Sequence, residues 1–140
     1  LRKKIGRESL GKRLLTPTKI YVNTILDLLK EIEISAIAHI TGGGLYENIP
    51  RILKSNTKAK IFYNPEAWPN QDLFDWIQKQ GKIQDKEMFS TFNCGVGMVI
   101  AVKEEDAKKT LHFLSKSNTK ANQIGFIESK IGNEPSVQIV

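Results

Sequence analysis

Apolar positions recur along this chain with two periods. In "LLTPTKIYVNTILDLLKEIE", Tyr21, Ile25, Leu28, Leu29 and Ile32 fall at helical spacing and predict one apolar stripe facing a core. Thr16 is the expected N-cap of that helix, and Pro17 fits its first position, where a missing N–H costs nothing. "SAIAHIT" alternates and predicts a short strand ending at Thr41, followed by three glycines. Leu45, Ile49, Ile52 and Leu53 resume helical spacing, but Pro50 interrupts it. The expectation is two short helical pieces, or one helix broken near Asn48.

Downstream, "AKIFYN" predicts a strand closed by Asn64-Pro65. "WPNQDLFDWIQKQG" predicts a helix with Pro69 in its first turn, Leu73, Phe74 and Ile77 buried, and Gly81 as its stop. "DKEMFSTF" reads as a short helix capped by Asp85, and "VGMVIAV" as a buried central strand. "EEDAKKTLHFLSKS" is a helix with acids in its first turn, matching the helix dipole. "QIGFIES" and "PSVQIV" are closing strands that suit a hairpin. Helices and strands in this order predict an α+β fold, one mixed sheet packed with helices.

Composition narrows the class. A chain of 140 residues, 40% hydrophobic and 26% charged, suits one globular domain with a respectable core. No apolar run approaches the ~18 residues of a membrane span, and no signal peptide opens the chain. The single cysteine, Cys94, cannot form an internal disulfide, which points to a reducing cytosol and a cytoplasmic protein. The chain opens at Leu1 inside a basic segment, "LRKKIGRESLGKRLL", as a fragment of something longer would. The net charge is +6, with Arg2, Lys3, Lys4, Arg7, Lys12 and Arg13 concentrated at the front. Nucleic acid, phosphorylated small molecules and a plain solvated helix face all fit that cluster.

The glycines are the first candidate chemistry. Gly42, Gly43 and Gly44 lie between a strand end and a helix start, where bare N–H groups and absent side chains let an anion come close. A tight turn with close packing explains them equally well. "TGGGL" is neither a P-loop nor G-x-G-x-x-G. Strand alternation puts Ile37, His39 and Thr41 on one face, so His39 and Thr41 point the same way beside the glycines. His39 is either a ligand or acid–base group or a structural imidazole. Glu47, Asn48 and Arg51 follow; Asn48 is a candidate cap and Arg51 a candidate anion clamp. Asn93, Gly95 and Gly97 open the apolar strand, where glycine marks close approach of backbone or ligand. Cys94 reads as a buried small residue and His112 as a surface one. One cysteine and two distant histidines make no zinc site, and the acids are scattered over helix surfaces without a motif for a catalytic pair.

Three stretches in one order, "LLTPTKIYV", "AIAHITGGGLYENIPRIL" and "MFSTFNCGVGMVIAV", resemble the phosphoribosylformylglycinamidine cyclo-ligase family, the aminoimidazole ribonucleotide synthetases. The resemblance runs from about Leu14 to the C-terminus. It implies the C-terminal α+β domain of that superfamily over residues 16–140, with residues 1–15 as a truncated connecting basic helix or linker. The N-terminal ATP-binding domain would be absent from this chain. It implies a ligase of purine biosynthesis that uses ATP and Mg2+, bound mainly by the missing domain, to close formylglycinamidine ribonucleotide to aminoimidazole ribonucleotide. The implied partners are a phosphorylated small-molecule substrate, the chain's own N-terminal domain, and a second subunit of a homodimer in the full-length enzyme, with neither nucleic acid nor membrane. His39, Thr41, Gly42, Gly43, Gly44 and Asn48 become substrate-binding candidates, with Asn93 and Gly95 as a second lip of the cleft; no catalytic residue is assigned. The alternative is a small anion- or nucleic-acid-binding module.

Overall fold

A computed structural model describes residues 3–140. The chain opens with a small antiparallel hairpin, β1 (Lys4–Ile5) and β2 (Glu8–Ser9), and a short helix α1 (Leu10–Leu14). Ser9 caps α1, its Oγ accepting from the Lys12 N–H at 3.3 Å. Within the connecting basic helix or linker expected over residues 1–15, residues 3–15 are a docked hairpin and helix; Leu1 and Arg2 lie outside the described residues. Two forces seat this segment on helix α4 (Gln71–Gly81). Ile5 and Leu10 bury against Leu73, with Trp76 and Ile77 alongside. Arg13 forms a fork onto the Asp72 carboxylate and reaches the Asn70 side-chain oxygen at 3.2 Å. At least one residue of the basic cluster thus has an internal partner.

Helix α2 (Val22–Leu28) starts later than Thr16 and Pro17 predict. The Thr16 hydroxyl donates to the Lys12 carbonyl at 3.3 Å and is spent on the end of α1. Of the predicted stripe, Leu28 and Ile32 are buried and pack with Leu114, whereas Leu29 is about half exposed. Strand β3 (Ile34–His39) leads through the glycines into α3 (Gly44–Asn48), which tightens into a 3-10 turn over Ile49–Ile52 around Pro50, the break the sequence predicts. Next come β4 (Thr57–Ile61), α4, α5 (Asp85–Thr91) and β5 (Met98–Val102). A 3-10 turn, α6 (Ala107–Lys116), β6 (Gly125–Ser129) and β7 (Val137–Ile139) complete the chain.

Two helix ends differ from their predicted chemistry. The left-handed residue that stops α4 is Lys82, not Gly81. Asp85 is inside α5 and accepts from the Gln78 amide at 2.6 Å; the cap position belongs to Gln84, which makes no side-chain cap bond.

The α+β class holds, with a mixed sheet, but the strands divide into separate ladders. β3 and β5 pair antiparallel as a two-stranded ladder. The mixed sheet has the order β6-β4-β7, antiparallel on one side of β4 and parallel on the other. The last two strands therefore form no hairpin with each other, because β4 stands between them. Lys58 helps fix this arrangement: buried on β4, it bonds Glu134 at 2.7 Å before β7 and lies 3.3 Å from Glu128 on β6. β5, expected at the centre of a sheet, is an edge. The main core lies between the ladders and α3–α5, where Tyr63, Trp68 and Phe89 meet edge-on with ring centroids 5.1–6.2 Å apart. No helix among the described residues is long and apolar enough to cross a membrane.

Arg13 holds the Asp72 carboxyl below the ordinary carboxylate range, chiefly through their hydrogen bond. A depressed folded pKa contributes stability that is complete above about pH 5 and is lost as pH falls through the folded value. Asp72→Asn should cost up to about 1 kcal/mol near neutrality, the discount reflecting the half-exposed carboxylate. It should also flatten the acid side of the stability profile, as denaturant melts at pH 6 and pH 3 would show.

Candidate functional site

β3 carries the chain to the site. Ala38 and Ile40 point into the core; His39 and Thr41 stay exposed beside Ile37. The Gly44 N–H donates back to the Thr41 carbonyl at 3.1 Å and closes a turn. The three glycines serve different ends. Gly44 is buried with φ +54°, and a side chain there would fall on the carbonyl oxygens of Phe89 and Phe92 at the end of α5. Gly43, at φ +90°, supplies the left-handed corner, and only the Glu47 side chain would obstruct a Cβ. Gly42 faces open space.

Asn48 organises this turn. It is 3% exposed. Its Nδ2 donates to the Gly44 carbonyl at 2.7 Å and the Gly42 carbonyl at 3.1 Å, with the Thr41 carbonyl at 3.5 Å. Three carbonyl oxygens around one atom identify it as the amide nitrogen rather than the oxygen. With the carbonyls gathered inward, the N–H groups of Gly42 and Gly43 have no acceptor among the described residues.

Beside the turn opens a cleft of about 340 Å³, lined by Ile37, Ala38, His39, Thr41, Asn48, Arg51 and Ile52. Its lining holds a guanidinium and an imidazole and no carboxylate. The Glu47 side chain packs against Gly43 and is not among the lining residues. Tyr21 packs beside His39 at the strand end. Its ring meets His39 edge-on at 6.1 Å, and its hydroxyl fills the space where Gly97 has no side chain. Burial raises the Tyr21 pKa, which keeps the phenol protonated near neutrality. Lys19 lies 5.6 Å from the centre of the same ring.

The candidates from the sequence thus separate. His39, Thr41 and Asn48 line one cleft; Gly42 and Gly43 are not among its lining residues, and Gly44 is committed to α5. Asn93 and Gly95 are not among the residues lining this cleft. The Asn93 side-chain oxygen accepts from the Gly95 N–H at 3.0 Å, and a side chain at Gly95 would fall on the Pro69 carbonyl oxygen. Gln71 secures the same loop, donating to the Cys94 carbonyl at 2.7 Å and accepting from the Tyr63 hydroxyl at 2.9 Å. Arg51, a candidate anion clamp from the sequence, lines the cleft; Tyr21, 18 positions upstream of His39, falls on the predicted core stripe, and Gly97 at the entrance of β5 is its one indirect signal. His112 is exposed on α6. Cys94 is buried, and burial pushes its thiol up to about 12. No cluster of metal-ligating side chains occurs among the described residues. The cleft therefore presents hydrogen-bond donors and positive charge, the equipment to hold an anion and orient it.

Four substitutions and a labelling experiment probe this geometry. Gly44→Ala should destabilise by several kcal/mol because backbone opposes the new methyl group, whereas Gly42→Ala should melt within about 0.5 kcal/mol of the parent. Asn48→Asp, which sets an acceptor against three carbonyls, should cost more than Asn48→Ala, itself about 1–3 kcal/mol. Cys94 should react with a thiol reagent at pH 8 only as fast as the chain unfolds; rapid labelling of the folded protein would contradict its burial.

The model of the family described as AIR synthase related protein, C-terminal domain, matches residues 1–137. That span takes in the hairpin, the glycine turn, the cleft and every strand up to the start of β7, and its start agrees with the packing of Ile5 and Leu10 on α4. Such domains occur in ATP-dependent ligase- and kinase-like enzymes. This chain belongs to the AIR synthase-related family, as its C-terminal domain.

Proposed function

We propose that this chain is the C-terminal half of an ATP-dependent cyclo-ligase that closes formylglycinamidine ribonucleotide to aminoimidazole ribonucleotide in the cytoplasm. Residues 16–140 would form the domain's main body, with the hairpin segment as part of the same unit. An upstream domain would hold ATP and Mg2+, which supply the phosphoryl group that activates the formamide oxygen. An amidine nitrogen then attacks the activated carbon, and phosphate leaves.

The observation that carries this reading is an open cleft lined by His39, Thr41 and Arg51, with the acceptor-free amides of Gly42 and Gly43 next in the chain after Thr41. Family membership supports the enzyme class. In this role the chain positions rather than reacts. The two amides and Arg51 bind the phosphate end of the substrate, and Thr41 offers a hydroxyl to the same group. His39, braced by Tyr21, contacts the polar part of the substrate from the strand side. Ile37 and Ile52 give the sugar or base an apolar wall and exclude water. Phosphoryl transfer gains most from such positioning and charge stabilisation.

Isotope-edited NMR tests the assignment. Formylglycinamidine ribonucleotide added to the chain should shift the amide signals of Gly42, Gly43 and Arg51, and the dephosphorylated riboside should not. Arg51→Ala should weaken the interaction about tenfold or more, the loss of a charge-assisted bond. Shifts confined to the basic hairpin, or to the exposed Phe62–Phe126 pair on the mixed sheet, would favour the anion- or nucleic-acid-binding module instead.

A further inference from the structure

Helix α4 turns a largely polar face inward. Gln71, Phe74, Asp75 and Gln78 recur at helical spacing, and all four line a second cavity, of about 110 Å³, between α4 and α5. Tyr63, Met88 and Phe89 line it too. Hydrogen bonds account for both glutamines. Gln71 accepts from the Tyr63 hydroxyl at 2.9 Å and donates to the Cys94 carbonyl at 2.7 Å, and Gln78 donates to the Asp85 carboxylate at 2.6 Å. Asp75 is different. It is half-buried, yet its carboxylate has no hydrogen bond or ion pair among the described residues, and Lys79, one turn further on, makes none with it. An unpaired carboxylate drawn partly out of water is destabilising. Burial, and next the charge of Asp75, push the Tyr63 phenol above its ordinary value, so that charge is felt inside the cavity.

The lining holds two carboxylates, Asp75 and Asp85, and no basic side chain. Its remaining walls are rings and a thioether: Tyr63, Phe74, Phe89 and Met88. We infer that this cavity binds a small organic cation, a primary alkylammonium. The ammonium group meets the Asp75 carboxylate, with Asp85 as a second acceptor, and the alkyl stem lies among the rings. A cavity of ~150 Å³ takes benzene, so this one takes about four non-hydrogen atoms. A divalent metal ion suits the site less well. It asks for about six oxygen ligands, and no group of three metal-ligating side chains occurs among the described residues. The apolar walls would also be idle around an inorganic ion. No residue lines both this cavity and the glycine cleft, so the site stands whether or not the cleft binds a ribonucleotide.

Titration of the 140-residue chain with n-propylammonium chloride, followed by isotope-edited NMR against sodium chloride at matched ionic strength, tests this. The amide signals of Asp75, Gln78 and Phe89 should shift and saturate, with half-saturation at about 1–10 mM for so small a ligand. n-Propanol keeps the size and the stem but lacks the charge, and should need about tenfold more or worse. Asp75→Asn should raise the half-saturation point by about tenfold or more. It should not lower the melting temperature, because the carboxylate it removes has no partner in the chain. Shifts that stay linear to about 100 mM overturn the site. So does an alcohol as effective as the amine, or magnesium chloride that gives the same shifts at lower concentration. The alcohol and magnesium comparisons use the parent chain and decide the matter even if the Asp75 variant folds poorly.

Discussion

Everything at the candidate site depends on one amide. Asn48 sits one helical piece beyond the turn it governs, and its nitrogen collects the carbonyls of residues 41, 42 and 44. A peptide plane has two ends, so drawing the oxygens inward commits the hydrogens to the other side. Electropositive backbone at Gly42 and Gly43 is thus a by-product of satisfying buried carbonyls. The same residue lies where α3 passes into its 3-10 turn, so the position of Arg51 three residues on follows from the same local geometry.

The helix dipole adds little to this arrangement. α3 is short, and its first residue abuts the carbonyl oxygens of Phe89 and Phe92. The negative end of α5 therefore already neutralises part of the positive end of α3. Charge for an incoming anion comes from Arg51. The Glu47 carboxylate, packed against Gly43, sets a negative charge beside the same turn.

What the sequence made legible was local. The break around Pro50, the alternation that exposes His39 and Thr41, and the buried cysteine all follow from neighbours a few residues apart, and each is found where expected. Contacts across the chain were not legible. The front segment read as a basic linker because its charges are conspicuous, while the burial of Ile5 and Leu10 needs α4 to be seen. Asn93 and Gly95 looked like a ligand-facing lip because glycine near a strand signals close approach; the approaching group is the Pro69 carbonyl. "VGMVIAV" read as a central strand because period alone does not distinguish an inner strand from an edge packed on both faces. A family resemblance supplied the reaction class, and no single spacing in the chain would have done so.

The hydroxyl of Tyr21 resting over Gly97 ties together three places far apart in the chain: the extended passage before α2, the entrance of β5 and the imidazole on β3. Any methyl group grafted onto residue 97 would evict the phenol and leave the histidine ring without its lateral support. Position 97 is thereby subject to a constraint that originates in the recognition surface, although its own atoms never border the cavity.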